Sequence, residues 1–87
     1  MQEVKVYDDG RLCAIKTYEN GKIKNLKEYD IDENLMVETP YKNNKEHGYV
    51  NDELHGVCKR FNEKGELVSK ELYIRNELIR KAEFKRS

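Results

Sequence analysis

Apolar residues are scarce in this chain: 37% of its 87 residues are hydrophobic and 39% are charged, so most side chains stay wet and a thick two-layer core is excluded. An excess of one charge is missing too. Seventeen Lys and Arg balance seventeen Asp and Glu, which removes the global electrostatic reason to expect nucleic acid or an anionic membrane as the main partner. The only two cysteines, Cys13 and Cys58, lie far apart, and no Cys-x-x-Cys or Cys/His cluster supplies a metal site, so reduced thiols and no metal are expected. No stretch approaches the roughly 18 apolar residues of a membrane helix, and MQEVKVYDDG lacks the basic start and apolar core of an export signal. These shortages place the protein in the cytoplasm, as one domain spanning residues 1–87.

What the chain does have is a period. Tyr7, Tyr18 and Tyr29 recur at intervals of eleven, as do Asp9-Gly10 and Asn20-Gly21. The units are YDDGRL (7–12), YENGKI (18–23), YDIDENL (29–35), FNEKGEL (61–67) and YIRNEL (73–78), each an aromatic, a polar turn and an aliphatic. Regular aromatics also argue against disorder, which has no use for them. Asp-Gly and Asn-Gly suit two-residue hairpin loops in which both central residues take positive φ. Tyr7 then faces Leu12 and Tyr18 faces Ile23, with Asp8 opposite Arg11 and Glu19 opposite Lys22 beside the turns. FNEKGEL fits a three-residue loop with Gly65 left-handed, and YDIDENL has the same length without glycine.

Between corners lie seven-residue segments of strand length: LCAIKTY, IKNLKEY, LMVETPY, LVSKELY and LIRKAEF. In an unbroken strand, side chains six apart share a face, so Leu12 is expected beside Tyr18, Ile23 beside Tyr29, Leu35 beside Tyr41, Leu67 beside Tyr73 and Leu78 beside Phe84. This predicts an all-β fold: a narrow, single-layer antiparallel meander of stacked hairpins with about seven or eight short strands. Two apolar rows near the strand ends flank a more polar middle (Lys16, Lys27, Thr39, Glu71, Arg80). Pro40 lacks a ladder donor and is expected at an edge or bulge, producing a local bend.

The segment ELHGVCKRFNEKGELVSKELYIRNELI (53–79) resembles the bacterial variant of the MORN repeat through Glu53-Leu54-His55-Gly56, Phe61, Gly65, Leu67 and Tyr73, and Tyr41, His47 and Gly48 match the end of a preceding repeat. The first forty residues keep the hairpin units but lack the His-Gly element. The resemblance implies an elongated hairpin stack used for binding and scaffolding, as in bacterial members predicted to be antitoxin partners of toxins, or in eukaryotic members associated with membranes and phosphoinositides. Such repeats also accompany phosphatidylinositol-phosphate kinases in plants, but the sequence holds neither a glycine-rich phosphate loop with its lysine nor a paired Asp set for magnesium. No catalytic residue and no cofactor are assigned, and the protein is not read as an enzyme.

The tyrosines Tyr7, Tyr18, Tyr29, Tyr41 and Tyr73 are the candidate protein-binding residues, because a large ring ending in a hydroxyl serves an interface as well as ladder packing. A protein partner of unknown identity is expected, with self-association through the edge strands as a further route. His47-Gly48 and His55-Gly56 read as structural elements, glycine allowing close backbone approach, and His55 and Cys58, three apart, fall on opposite faces of a strand. The acidic run 28–41 lacks the glycine and closing glutamate of a calcium loop, so it reads as a solvated turn or a surface for a basic partner. Arg80, Lys81, Lys85 and Arg86 are the candidate lipid contacts in the alternative reading, a phospholipid- or membrane-surface-associating scaffold, which edge protection by the same cations disfavours.

Overall fold

In the computed structural model, which describes residues 1–46 and 49–85, the regularly spaced turns fold the chain into eight antiparallel strands and no helix among the described residues. The strands are β1 (Gln2–Asp8), β2 (Arg11–Glu19), β3 (Lys22–Tyr29), β4 (Leu35–Glu46), β5 (Tyr49–Leu54), β6 (Gly56–Phe61), β7 (Leu67–Ile74) and β8 (Glu77–Glu83). They form one open sheet in the order β1-β2-β3-β4-β6-β7-β8, with β5 paired to β4 off this path. The expected single-layer meander is the fold. The extents are 47 × 34 × 18 Å. Exposed area is 6299 Å², above the roughly 5,400 Å² of a compact globule of this mass, as a sheet wetted on both faces requires.

Turn chemistry builds each corner. Asp9-Gly10 and Asn20-Gly21 both take positive φ (50° and 77°, 54° and 77°) in two-residue loops closed by Asp8 with Arg11 and Glu19 with Lys22. Two longer loops share a different device. In one, Asp30 Oδ1 accepts the N–H groups of Asp32 and Asn34 and Glu33 turns left-handed; in the other, Asn62 Oδ1 accepts from Lys64 and Glu66 and Gly65 turns left-handed. Glu33 takes φ 63° without the freedom of glycine, and its carboxylate reaches across to accept the N–H of Leu12 at 2.9 Å.

Every such hairpin carries a bulge immediately inside its aromatic–aliphatic pair. Tyr7 pairs with Leu12 but Val6 with Ala14; Tyr18 with Ile23 but Thr17 with Asn25; Tyr29 with Leu35 but Glu28 with Val37; Phe61 with Leu67 but Arg60 with Ser69; Tyr73 with Leu78 but Leu72 with Arg80. Cys13, Lys24, Met36, Val68 and Ile79 are the extra residues. A bulge advances one strand by one residue and so exchanges the faces beyond it. The expectation that Leu12 shares a face with Tyr18, and likewise for the other four segments, is therefore corrected: each aliphatic lies on the opposite face from the aromatic six residues later.

β4 runs through the sheet and out of it. Its first half pairs with β3 and, at Val37 and Glu38, with β6; its second half pairs with β5 from Tyr41 opposite Leu54 to Glu46 opposite Tyr49. The change comes at Pro40, as its missing donor suggests. There the Pro40 carbonyl accepts the N–H of His55, and Gly56 takes φ 112° with its Cα so near that a Cβ would stand 3.1 Å from Pro40 Cγ. The β7–β8 turn, Arg75-Asn76, takes positive φ at both residues without glycine. It is held in place by the β5–β6 corner: Leu54 N–H donates to Asn76 Oδ1 at 2.8 Å, Asn76 N–H donates to the Leu54 carbonyl at 3.0 Å, and Arg75 Nε stands 3.4 Å from the buried Glu53 carboxylate.

The interior inverts the usual order. Among the described residues Cys58, at 3% exposure, is the one buried hydrophobic side chain, and the others buried are Thr39, Glu53, Ser69 and Glu71. Thr39, Cys58, Ser69 and Glu71 lie on one face of the strands flanked on both sides, where Arg60 reaches diagonally to Glu71 at 2.8 Å and the Thr39 hydroxyl meets Cys58 Sγ at 3.6 Å. The polar middle is thus the best covered region, and the apolar rows lie toward the margins.

Candidate binding surface

The bulges sort the aromatics into two groups. Tyr7 with Leu12, Tyr29 with Leu35 and Phe61 with Leu67 line one end of the sheet on the face that carries Leu72. Tyr18 with Ile23, Tyr41 with Leu54 and Tyr73 with Leu78 line the other end on the face that carries Cys58. The five candidate tyrosines therefore divide, Tyr7 and Tyr29 on one face and Tyr18, Tyr41 and Tyr73 on the other. Among the described residues no second layer covers either row.

On the first face, Leu12, Cys13, Tyr29 and Ile31 line a shallow depression of about 280 Å³ rimmed by Asp8, Asp30 and Arg11. Tyr7 is 58% exposed and Ile31 67%. The Asp30 carboxyl, held by the backbone N–H of Asn34, is pulled below its ordinary pKa and stays charged beside this apolar floor. Cys13 directs its thiol to the carbonyl of Val6 at 3.3 Å. On the second face Tyr41 is half-buried, and its hydroxyl pKa is raised first by that burial and then by the charge of Glu28.

The basic candidates also separate. Arg80 lies with Val57, Lys70, Leu72 and Ala82 on one face, while Lys81 lies on the other and holds Glu83 at 3.0 Å, which raises the Lys81 pKa. Lys81 and Lys85 share a depression with Arg60, Ser69, Glu83 and Phe84. Arg86 lies outside the described residues, as does His47-Gly48. His55 serves the bend through its backbone and Cys58 packs against Thr39. Among the described residues no three His, Cys, Asp or Glu side chains group as metal ligands, and no helix is long and apolar enough to cross a membrane.

Sequence reasoning missed Ile31, whose signal was an apolar residue between two aspartates at a turn apex, and Ile79, the extra residue of a bulge that no residue type announces. It placed Arg75 and Asn76 in a turn but missed their contacts with Glu53 and Leu54 at the β5–β6 corner. Comparison of the chain with protein-family models, with curated proteins and with solved structures finds no match in any of the three, so its residues alone carry the functional reading.

Proposed function

We propose that this chain is a non-catalytic protein-binding module, a MORN-like hairpin scaffold that works in the cytoplasm as the antitoxin-like partner of another bacterial protein. The observation that carries this reading is the pair of aromatic–aliphatic rows, half-buried or exposed, on a sheet that has no second layer among the described residues. Rings of this kind add binding energy at low entropic cost, and a sheet held by its turns presents them rigidly. The row containing Tyr7 and Tyr29, extended by Ile31 and bordered by Asp8, Asp30 and Arg11, fits an apolar patch whose margin carries charges of both signs.

The test recovers the tagged protein from its native lysate and identifies by mass spectrometry a companion at near-equal stoichiometry. The Tyr7→Ala/Ile31→Ala double variant should lose that companion while keeping its strand spectrum. Equal recovery by the folded variant would refute the reading. A second reading, association with an anionic lipid surface, draws on Arg60, Lys81 and Lys85 around one depression that also carries Glu83; it requires cosedimentation with phosphatidylserine vesicles that falls as salt rises.

A further inference from the structure

Among the described residues β8 is paired on one side alone, to β7, and it is exposed along its whole length. We infer that β8 pairs with the β8 of a second copy of this chain, antiparallel about a two-fold axis at Ala82. Backbone orientation comes first. Phe84 N–H donates to the Val68 carbonyl at 2.9 Å, and Ala82 stands opposite Lys70 in the same register, so residues 80, 82 and 84 turn their amides toward β7. Lys81 and Glu83 therefore turn their N–H and C=O groups outward, where a second strand can meet them.

Side chains then select the register. A two-fold axis at Arg80, Lys81 or Glu83 sets a charged residue directly against its own copy, which is destabilising. An axis at Ala82 sets small against small and places Lys81 opposite the second copy's Glu83, twice over. On the other face it places Arg80 opposite the second copy's Phe84, where the guanidinium can lie on the ring. One of the cations that would otherwise repel a second edge is already balanced, since Lys81 holds Glu83 at 3.0 Å within one chain. The residues that would be covered include apolar side chains now partly exposed, Ile79 at 49% and Phe84 at 38%. This inference does not depend on the partner-binding reading, whose tested residues Tyr7 and Ile31 lie on β1 and in the β3–β4 loop.

The purified chain should sediment at twice its 10.4 kDa. Glu83→Pro removes an outward N–H and leaves the bonds to β7 in place, so it should raise the dimer dissociation constant about tenfold or more, at unchanged strand content, by deleting two inter-chain hydrogen bonds. Ala82→Cys should cross-link under mild oxidation, whereas Arg80→Cys and Lys81→Cys should not, because only position 82 meets itself. A mass of 10.4 kDa at all concentrations, an assembly growing beyond two copies through β1, or equal cross-linking at positions 80, 81 and 82 would each overturn the inference.

Discussion

Replacing Gly56 by alanine tests the bend that lets β4 leave the main sheet. Two effects oppose the added methyl. Gly56 holds φ at 112°, a conformation that costs an L-residue about 1–3 kcal/mol. The new Cβ would also stand 3.1 Å from Pro40 Cγ, and Pro40 is anchored by the His55 N–H on its carbonyl, so relief requires movement at the bend. Gly10 is the control: its φ of 77° imposes the backbone effect, yet nothing lies within 4 Å of the site where its Cβ would go. Gly10→Ala should cost about 1 kcal/mol, and Gly56→Ala about 2–3 kcal/mol once crowding is added. For a domain of this size each kcal/mol lowers Tm by about 4–8 °C. The assay is thermal and urea unfolding followed by circular dichroism, with Pro40→Ala completing a double-mutant cycle, since it removes the Cγ. If Gly56→Ala costs no more than Gly10→Ala, or if the two changes at the bend are additive, close approach to Pro40 does not set the residue at 56.

Two further outcomes follow from charged groups. The folded-state pKa of Asp30 is depressed, so its contribution to stability is complete above the unfolded value near 4 and is lost as pH falls through the folded value; Asp30→Asn, which keeps the Oδ1 acceptor as Asn62 does in the sister loop, should flatten that acid-side dependence of the urea midpoint. Arg60→Met leaves Glu71 buried without its 2.8 Å partner and should cost about 1–3 kcal/mol, whereas Arg60→Met/Glu71→Leu should recover part of that loss in a double-mutant cycle, by unfolding free energy.

The hairpins were legible because their chemistry is local. Tyr7, Asp9-Gly10 and Leu12 carry one corner within six residues, and Asn62 with Gly65 carries another. The bulges were not, because the extra residues Cys13, Lys24, Met36, Val68 and Ile79 have nothing in common as side chains and the irregularity resides in backbone pairing. The candidate tyrosines were found as residues but misjudged as a surface, since one unseen bulge per hairpin divides them between faces. Burial of Glu71 escaped notice for a related reason: its cover comes from Arg60, which is eleven residues away and diagonal across the ladder.

The order of the strands also determines how the molecule bears load. β1 and β8 occupy opposite margins, so tension applied between them pulls across the strands and opens hydrogen bonds a few at a time, peeling rather than shearing. Resistance concentrates where a turn is tied to something other than its own hairpin: Glu33 on Leu12 toward one margin, and Asn76 on Leu54 toward the other. A pulling trace should accordingly show low, stepwise forces punctuated by two firmer events, the mechanical signature of a sheet stitched at its corners.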